Sequence, residues 1–132
     1  MTVFVDTSGL VAVLDADEKR HAKAAAAWKR LLDEEATLVT TNYVLVEAIA
    51  LVQRRLGLGA VRGLDGAILP LLDVRYLDEE VHRASVAALL VAARRQLSLV
   101  DVSSFEVMRR LGLTTALALD GDFDDQGFET LP

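Results

Sequence analysis

Short runs of apolar, mostly β-branched residues alternate along this chain with longer segments of helical periodicity. This alternation constrains the fold more than any other feature. TVFVD (2–6), ATLVTT (36–41), LLDVRYL (71–77), LTTALALD (113–120) and FETL (128–131) read as strands. Between them lie a helix on GLVAVLDA that Thr7 or Ser8 can cap, and a second from Glu18 to Glu35 with Ala24, Ala25, Trp28, Leu31 and Leu32 on one face. A third helix (42–55) is capped by the hydroxyls of TT and stopped by Gly57 and Gly59. A short helix (59–69) precedes Pro70, and a long one opens on Asp78, Glu79 and Glu80 and closes on Arg94 and Arg95, charges that suit its dipole. A last helix runs from Ser98 to Arg110 and ends at Gly112. Strand–helix alternation implies right-handed crossovers and a mostly parallel sheet covered on both faces. The expectation is one domain over residues 1–132: a three-layer α/β/α sandwich around four to five strands.

Composition narrows what such a domain can do. Residues are 52% hydrophobic but only 5% aromatic, so aliphatic side chains are expected to fill the core. There is no cysteine, which excludes disulfides and thiolate metal sites. No apolar run reaches the length of a membrane span, and the start lacks a basic leader, so a cytoplasmic protein is expected. Twenty acidic and fourteen basic residues leave a net charge of −6, which argues against holding nucleic acid by bulk attraction. A metal ion or a local basic patch would be needed instead. Eleven of the fourteen cations are arginines, and Arg54, Arg55, Arg94 and Arg95 are candidate phosphate contacts, although both pairs also suit helix ends.

In doubly wound folds ligands bind beyond the carboxyl ends of the strands, where strand order reverses. Four acids fall near that edge. Asp6 ends the first strand and Asp120 the fourth, with Asp122, Asp124 and Asp125 following. Glu47 lies in the second turn of a helix apolar on nearly every side (NYVLVEAIAL), where a charge demands a partner. Asp101 follows Ser98 at capping-box spacing. Each has an ordinary alternative: turn and cap for Asp6, cap for Asp101, solvated loop for Asp120, buried ion pair with an arginine for Glu47. Together they mean more. Carboxylates about 4 Å apart repel by roughly 4 kcal/mol per pair at an effective dielectric near 20, so a cluster requires a cation. Oxygen ligands without Cys or converging His select Mg²⁺ or Mn²⁺. His21 and His82, in charged surroundings, read as surface residues.

The order of these segments resembles the PIN-domain nucleases, in particular the VapC-like toxin ribonucleases. VFVDTSGL is similar to that family's first strand and first acid, with Ser8 as a supporting hydroxyl. TTNYVLVEAIALV resembles its Glu-bearing helix, LSLVDVSSFEVM the segment of its third acid, and ALALDGDFDDQGFETLP its closing strands. The resemblance implies that Asp6, Glu47, Asp101 and Asp120, with Asp122 in support, hold one or two Mg²⁺ or Mn²⁺ ions. It further implies hydrolysis of RNA to a 5′-phosphate and a 3′-hydroxyl, a homodimer, and a cognate antitoxin that blocks the site. One departure is Ala118, where the family often carries a hydroxyl. It keeps open a second reading, a catalytically weak PIN domain that binds metal or a partner. A signalling receiver would need paired acids after the first strand and a late lysine, and a DxD phosphatase would need a second Asp where Ser8 stands.

Overall fold

The computed structural model covers residues 1–132. Five strands form one sheet: β1 (Thr2–Val5), β2 (Thr37–Thr41), β3 (Asp73–Arg75), β4 (Thr115–Leu117) and β5 (Glu129–Leu131). Their order across the sheet is β3-β2-β1-β4-β5, and every neighbouring pair is parallel. The chain builds outward from β1 through β2 to β3, then returns to the other side of β1 for β4 and β5. The reversal lies between β1 and β4. Successive residues of a strand face opposite sides, yet Val3, Phe4 and Val5 are all fully buried, so both faces of the sheet are covered.

Seven α-helices supply the cover: α1 (Thr7–Leu14), α2 (His21–Asp33), α3 (Asn42–Leu56), α4 (Leu58–Gly63), α5 (Glu79–Ala92), α6 (Leu99–Leu111) and the single turn α7 (Asp122–Asp125). Several termini follow the sequence signals. The Thr41 hydroxyl accepts from the Val44 N–H to cap α3, and Gly112, at φ 69°, ends α6 in the left-handed conformation.

Other boundaries differ from expectation. Neither Thr7 nor Ser8 caps α1; Asp6 does, as its alternative reading allowed, its carboxylate accepting from the Ser8 N–H. Helix α2 begins at His21, because Asp15 to Arg20 are taken up by turns, and Leu32 points outward at 38% exposure. The segment before β3 divides into α4, a π turn (Leu64–Ile68) and a 3₁₀ turn (Leu69–Leu71) that contains Pro70. Helix α5 stops at Ala92, with Ala93 left-handed, so Arg94 and Arg95 lie beyond its last turn. Strand β4 ends at Leu117, which leaves Asp120 three residues past it.

The core is mainly aliphatic, but all four phenylalanines gather in one place. Phe123 sits edge-on to Phe105 at 4.9 Å and lies 6.4 Å from Phe4 and 6.3 Å from Phe128. Fully buried itself, Phe123 anchors the DGDFDD segment in this cluster and so ties down the turn that begins at Asp120. The histidines are likewise not free surface groups: His21 Nδ1 pairs with the Ala12 carbonyl at 2.7 Å, and His82 with the Tyr43 hydroxyl.

Candidate active site

The carboxyl ends of β1 and β4 open into a cleft of about 230 Å³. Asp6 lies at its base, 2% exposed. Its backbone N–H donates to the Leu117 carbonyl at 3.1 Å, extending the β1–β4 pairing one step past the strand. Its Oδ2 accepts from the Ser8 N–H (3.2 Å) and the Ser8 hydroxyl (2.6 Å). Ser8 Oγ in turn accepts from the Leu119 N–H at 2.9 Å, so this hydroxyl ties the first acid to the strand end that carries the last. Asp6 Oδ1 is buried and has no hydrogen-bond partner, and the same is true of the adjoining Thr7 hydroxyl.

Asp120 stands across the cleft, with one carboxylate oxygen held by the Asp122 N–H at 3.2 Å. Asp101 arrives from the first turn of α6. The capping box expected there is present: the Ser98 hydroxyl accepts from the Asp101 N–H (3.1 Å), and Asp101 Oδ2 accepts from the Ser98 N–H (3.2 Å). Asp101 also lines the cleft, so its two readings are compatible. Glu47 completes the wall from α3. That helix is less enclosed than its composition suggests, since Val46 is 69% exposed and Glu47 half-buried. The alternative of an ion pair fails for Glu47, which enters none of the salt bridges of the structure.

Asp6, Ser8, Glu47, Asp101 and Asp120 are thus brought together from separate parts of the chain. Asp122 is not brought to the cleft wall; its carboxylate faces Arg94 at 3.8 Å. Two charged residues that sequence patterning did not single out, Glu18 and Arg20, join the site, as does Arg55, a candidate phosphate contact from the sequence. Glu18 and Arg20 sit in the turn after α1, and Arg20 Nη1 donates to the Leu119 carbonyl at 2.5 Å. DADEKR reads as a solvated helix start, so neither residue stood out. Arg55 lines the cleft eight residues after Glu47, with Leu51 between them, a spacing that places all three on one face of α3.

Electrostatics follow from this crowding. Burial pushes the Asp6 carboxyl up to about 7; the Ser8 hydrogen bonds oppose the shift, and the charges of Asp120 and Asp101 add to it. Burial also raises Asp120, with help from Asp101, while the Asp122 N–H and Arg20 act in the opposite direction. A buried, unpartnered oxygen among mutually repelling carboxylates is suited to a hard divalent cation. No three acids or histidines stand close enough to share one ion as they lie, so ligation would draw side chains inward from the cleft wall.

The chain matches the PIN domain family model over residues 3–129 and belongs to that family. Over 127 residues it is 33% identical to the 23S rRNA-specific endonuclease VapC20 of Mycobacterium tuberculosis, covering 96% of this chain and 95% of that protein. The crystal structure of VapC20, described as a sarcin–ricin loop cleaving toxin, superposes with a TM-score of 0.84 at 34% identity, covering 98% and 99% of the two chains. FitAcB of Neisseria gonorrhoeae shares the fold at a TM-score of 0.71 and 16% identity, covering 100% and 97%. So does VapBC2 of Rickettsia felis, at 0.71 and 13%, covering 98% and 97%.

Proposed function

We propose that this protein is a divalent-metal-dependent endoribonuclease of the VapC type and the toxin of a toxin–antitoxin pair. The observation that carries the reading is the meeting of Asp6, Glu47, Asp101 and Asp120 in one cleft at the β1–β4 reversal, with Asp6 Oδ1 buried and unpartnered. Likeness to VapC20 along nearly the whole chain supports it and suggests a ribosomal RNA loop as the substrate.

The four carboxylates would hold Mg²⁺ or Mn²⁺. When bound, the ion supplies a water acidic enough to attack at neutral pH and offsets charge on the phosphate. The remaining work belongs to the chain itself. Ser8 fixes the Asp6 carboxylate and the Leu119 backbone in one frame, and the capping box fixes the rotamer of Asp101. One carboxylate accepts the proton of the attacking water. Arg20 binds the Leu119 carbonyl and so steadies the segment leading to Asp120.

Partners follow from the same reading: a homodimer, and an antitoxin that closes the cleft, both in the cytoplasm. No helix is long and apolar enough to cross a membrane. Leu90 and Val91, 73% and 86% exposed near the end of α5, leave apolar surface that association would cover.

The decisive experiment compares wild type and Asp6→Asn on a sarcin–ricin loop RNA and on an unrelated structured RNA, with Mg²⁺, Mn²⁺ or chelator. Ion-dependent cutting by wild type alone is expected, with at least a hundredfold loss in the variant. Equal cutting by both proteins would refute the site. Ion-dependent RNA binding with no cutting of either RNA would favour the binding-module reading that Ala118 keeps open.

A further inference from the structure

Two cations, Arg20 and Arg55, stand at a cleft otherwise walled by acids, and their environments differ. Arg20 is committed within the protein: Nη1 donates to the Leu119 carbonyl at 2.5 Å, and Nε lies 3.9 Å from Glu18. Arg55 is exposed and enters no salt bridge. It projects from the same helical face as Glu47, two turns further along α3. Eight residues at 1.5 Å per residue place the two about 12 Å apart along the helix axis.

We infer that Arg55 grips a phosphate of the bound RNA next to the one being cut, and that Arg20 instead positions the strand end carrying Asp120. The inference rests on the nuclease reading above and adds to it a substrate-binding residue. Its logic is electrostatic. A cleft lined with carboxylates repels the backbone on either side of the scissile phosphate, and a bound ion compensates only at the centre. A free guanidinium at the rim, matched to phosphate geometry, offsets that repulsion one or two linkages away. The axial separation from Glu47 favours a neighbouring phosphate over the scissile one.

Arg55 also lies in the last turn of α3, where any cation favours the helix dipole. Arg54 shares that turn and that charge but does not line the cleft, which makes Arg54→Ala the control. The test uses an oligoribonucleotide cut by wild type, together with a set in which each phosphate in turn is replaced by an uncharged methylphosphonate. Binding is followed by fluorescence anisotropy with Ca²⁺, and cleavage by single-turnover kinetics with Mg²⁺.

With wild type, neutralising one linkage beside the cut weakens binding about tenfold. Arg55→Ala weakens binding of the unmodified RNA to a similar extent, becomes indifferent to that linkage, and alters the limiting cleavage rate far less than the half-saturating concentration. Its log–log salt dependence flattens by about one ion. Arg55→Lys restores part of the affinity, and Arg54→Ala retains the wild-type pattern. The inference is overturned if Arg55→Ala keeps the interference at that linkage, or if Arg54→Ala behaves identically. If wild type cuts no RNA, the nuclease reading fails; the same substitution set is then scanned on an RNA that wild type binds, where a linkage whose interference disappears in Arg55→Ala upholds the phosphate contact and the lack of any such linkage overturns it.

Discussion

Asp6 performs three structural tasks at once. It extends the β1–β4 pairing through its backbone, caps α1 through one carboxylate oxygen, and presents the other, buried, to the cleft. The last task opposes stability. With a carboxyl raised to about 7 from an ordinary 3.8, the group favours the folded state fully below pH 3.8, and that contribution is lost as pH rises through 7. In chelator, wild type should therefore lose stability between about pH 4 and 7 more steeply than Asp6→Asn. At pH 8 the variant should be the more stable by up to roughly 4 kcal/mol. Mn²⁺ should then stabilise wild type and leave the variant unmoved. Urea denaturation across this pH range checks both statements; parallel curves for the two proteins would show that the burial of Asp6 is not costly. The neighbouring residues show how far single positions were legible. The Ser98–Asp101 capping box was readable from spacing alone, and its carboxylate turned out to serve cap and cleft together. The orphaned Thr7 hydroxyl was not readable, because only packing decides which hydroxyl in a DTS run finds a partner.

At the scale of elements, the contact between α1 and β4 sets the geometry of the cleft. Gly9 makes it close: a Cβ there would lie 2.4 Å from the Leu117 carbonyl oxygen and 2.9 Å from Leu117 Cγ. Gly9→Ala must push the helix off the strand, and with it separate Ser8 from Leu119. A loss of about 3 kcal/mol is expected, read as a lower urea midpoint at unchanged slope. An unchanged midpoint would mean that the helix can shift freely. Elements themselves were legible where periodicity and capping agreed, as in α3 and α6. They were misplaced where charge mimicked a helix start, as at Glu18 to Arg20. They were also misplaced where a terminal cation pair suggested a longer helix than the Ala93 turn allows. Arg20 was missed as a site residue for the first of these reasons.

For the whole molecule, strand–helix alternation was enough for a parallel sheet, but not for its order. Nothing local specifies that the fourth strand docks beside the first, and that adjacency is what collects the acids. Long-range burial decides it: Val3, Phe4 and Val5 are fully buried, and β1, at the middle of the sheet, accepts β2 on one side and β4 on the other. Assembly belongs to this scale as well. Sedimentation at micromolar concentration should give twice the 14.3 kDa chain mass, and a monomer throughout would exclude the homodimer.

The bond from the Leu119 N–H to Ser8 Oγ joins residues 111 positions apart. Proteins are synthesised from the N-terminus, and domains fold as units once their sequence has emerged. During translation Asp6, Glu47 and Asp101 all leave the ribosome before Asp120 and the β4–β5 hairpin-free edge that frames it. A growing chain therefore carries an incomplete cleft until Asp120 and the strand end that leads to it have been made.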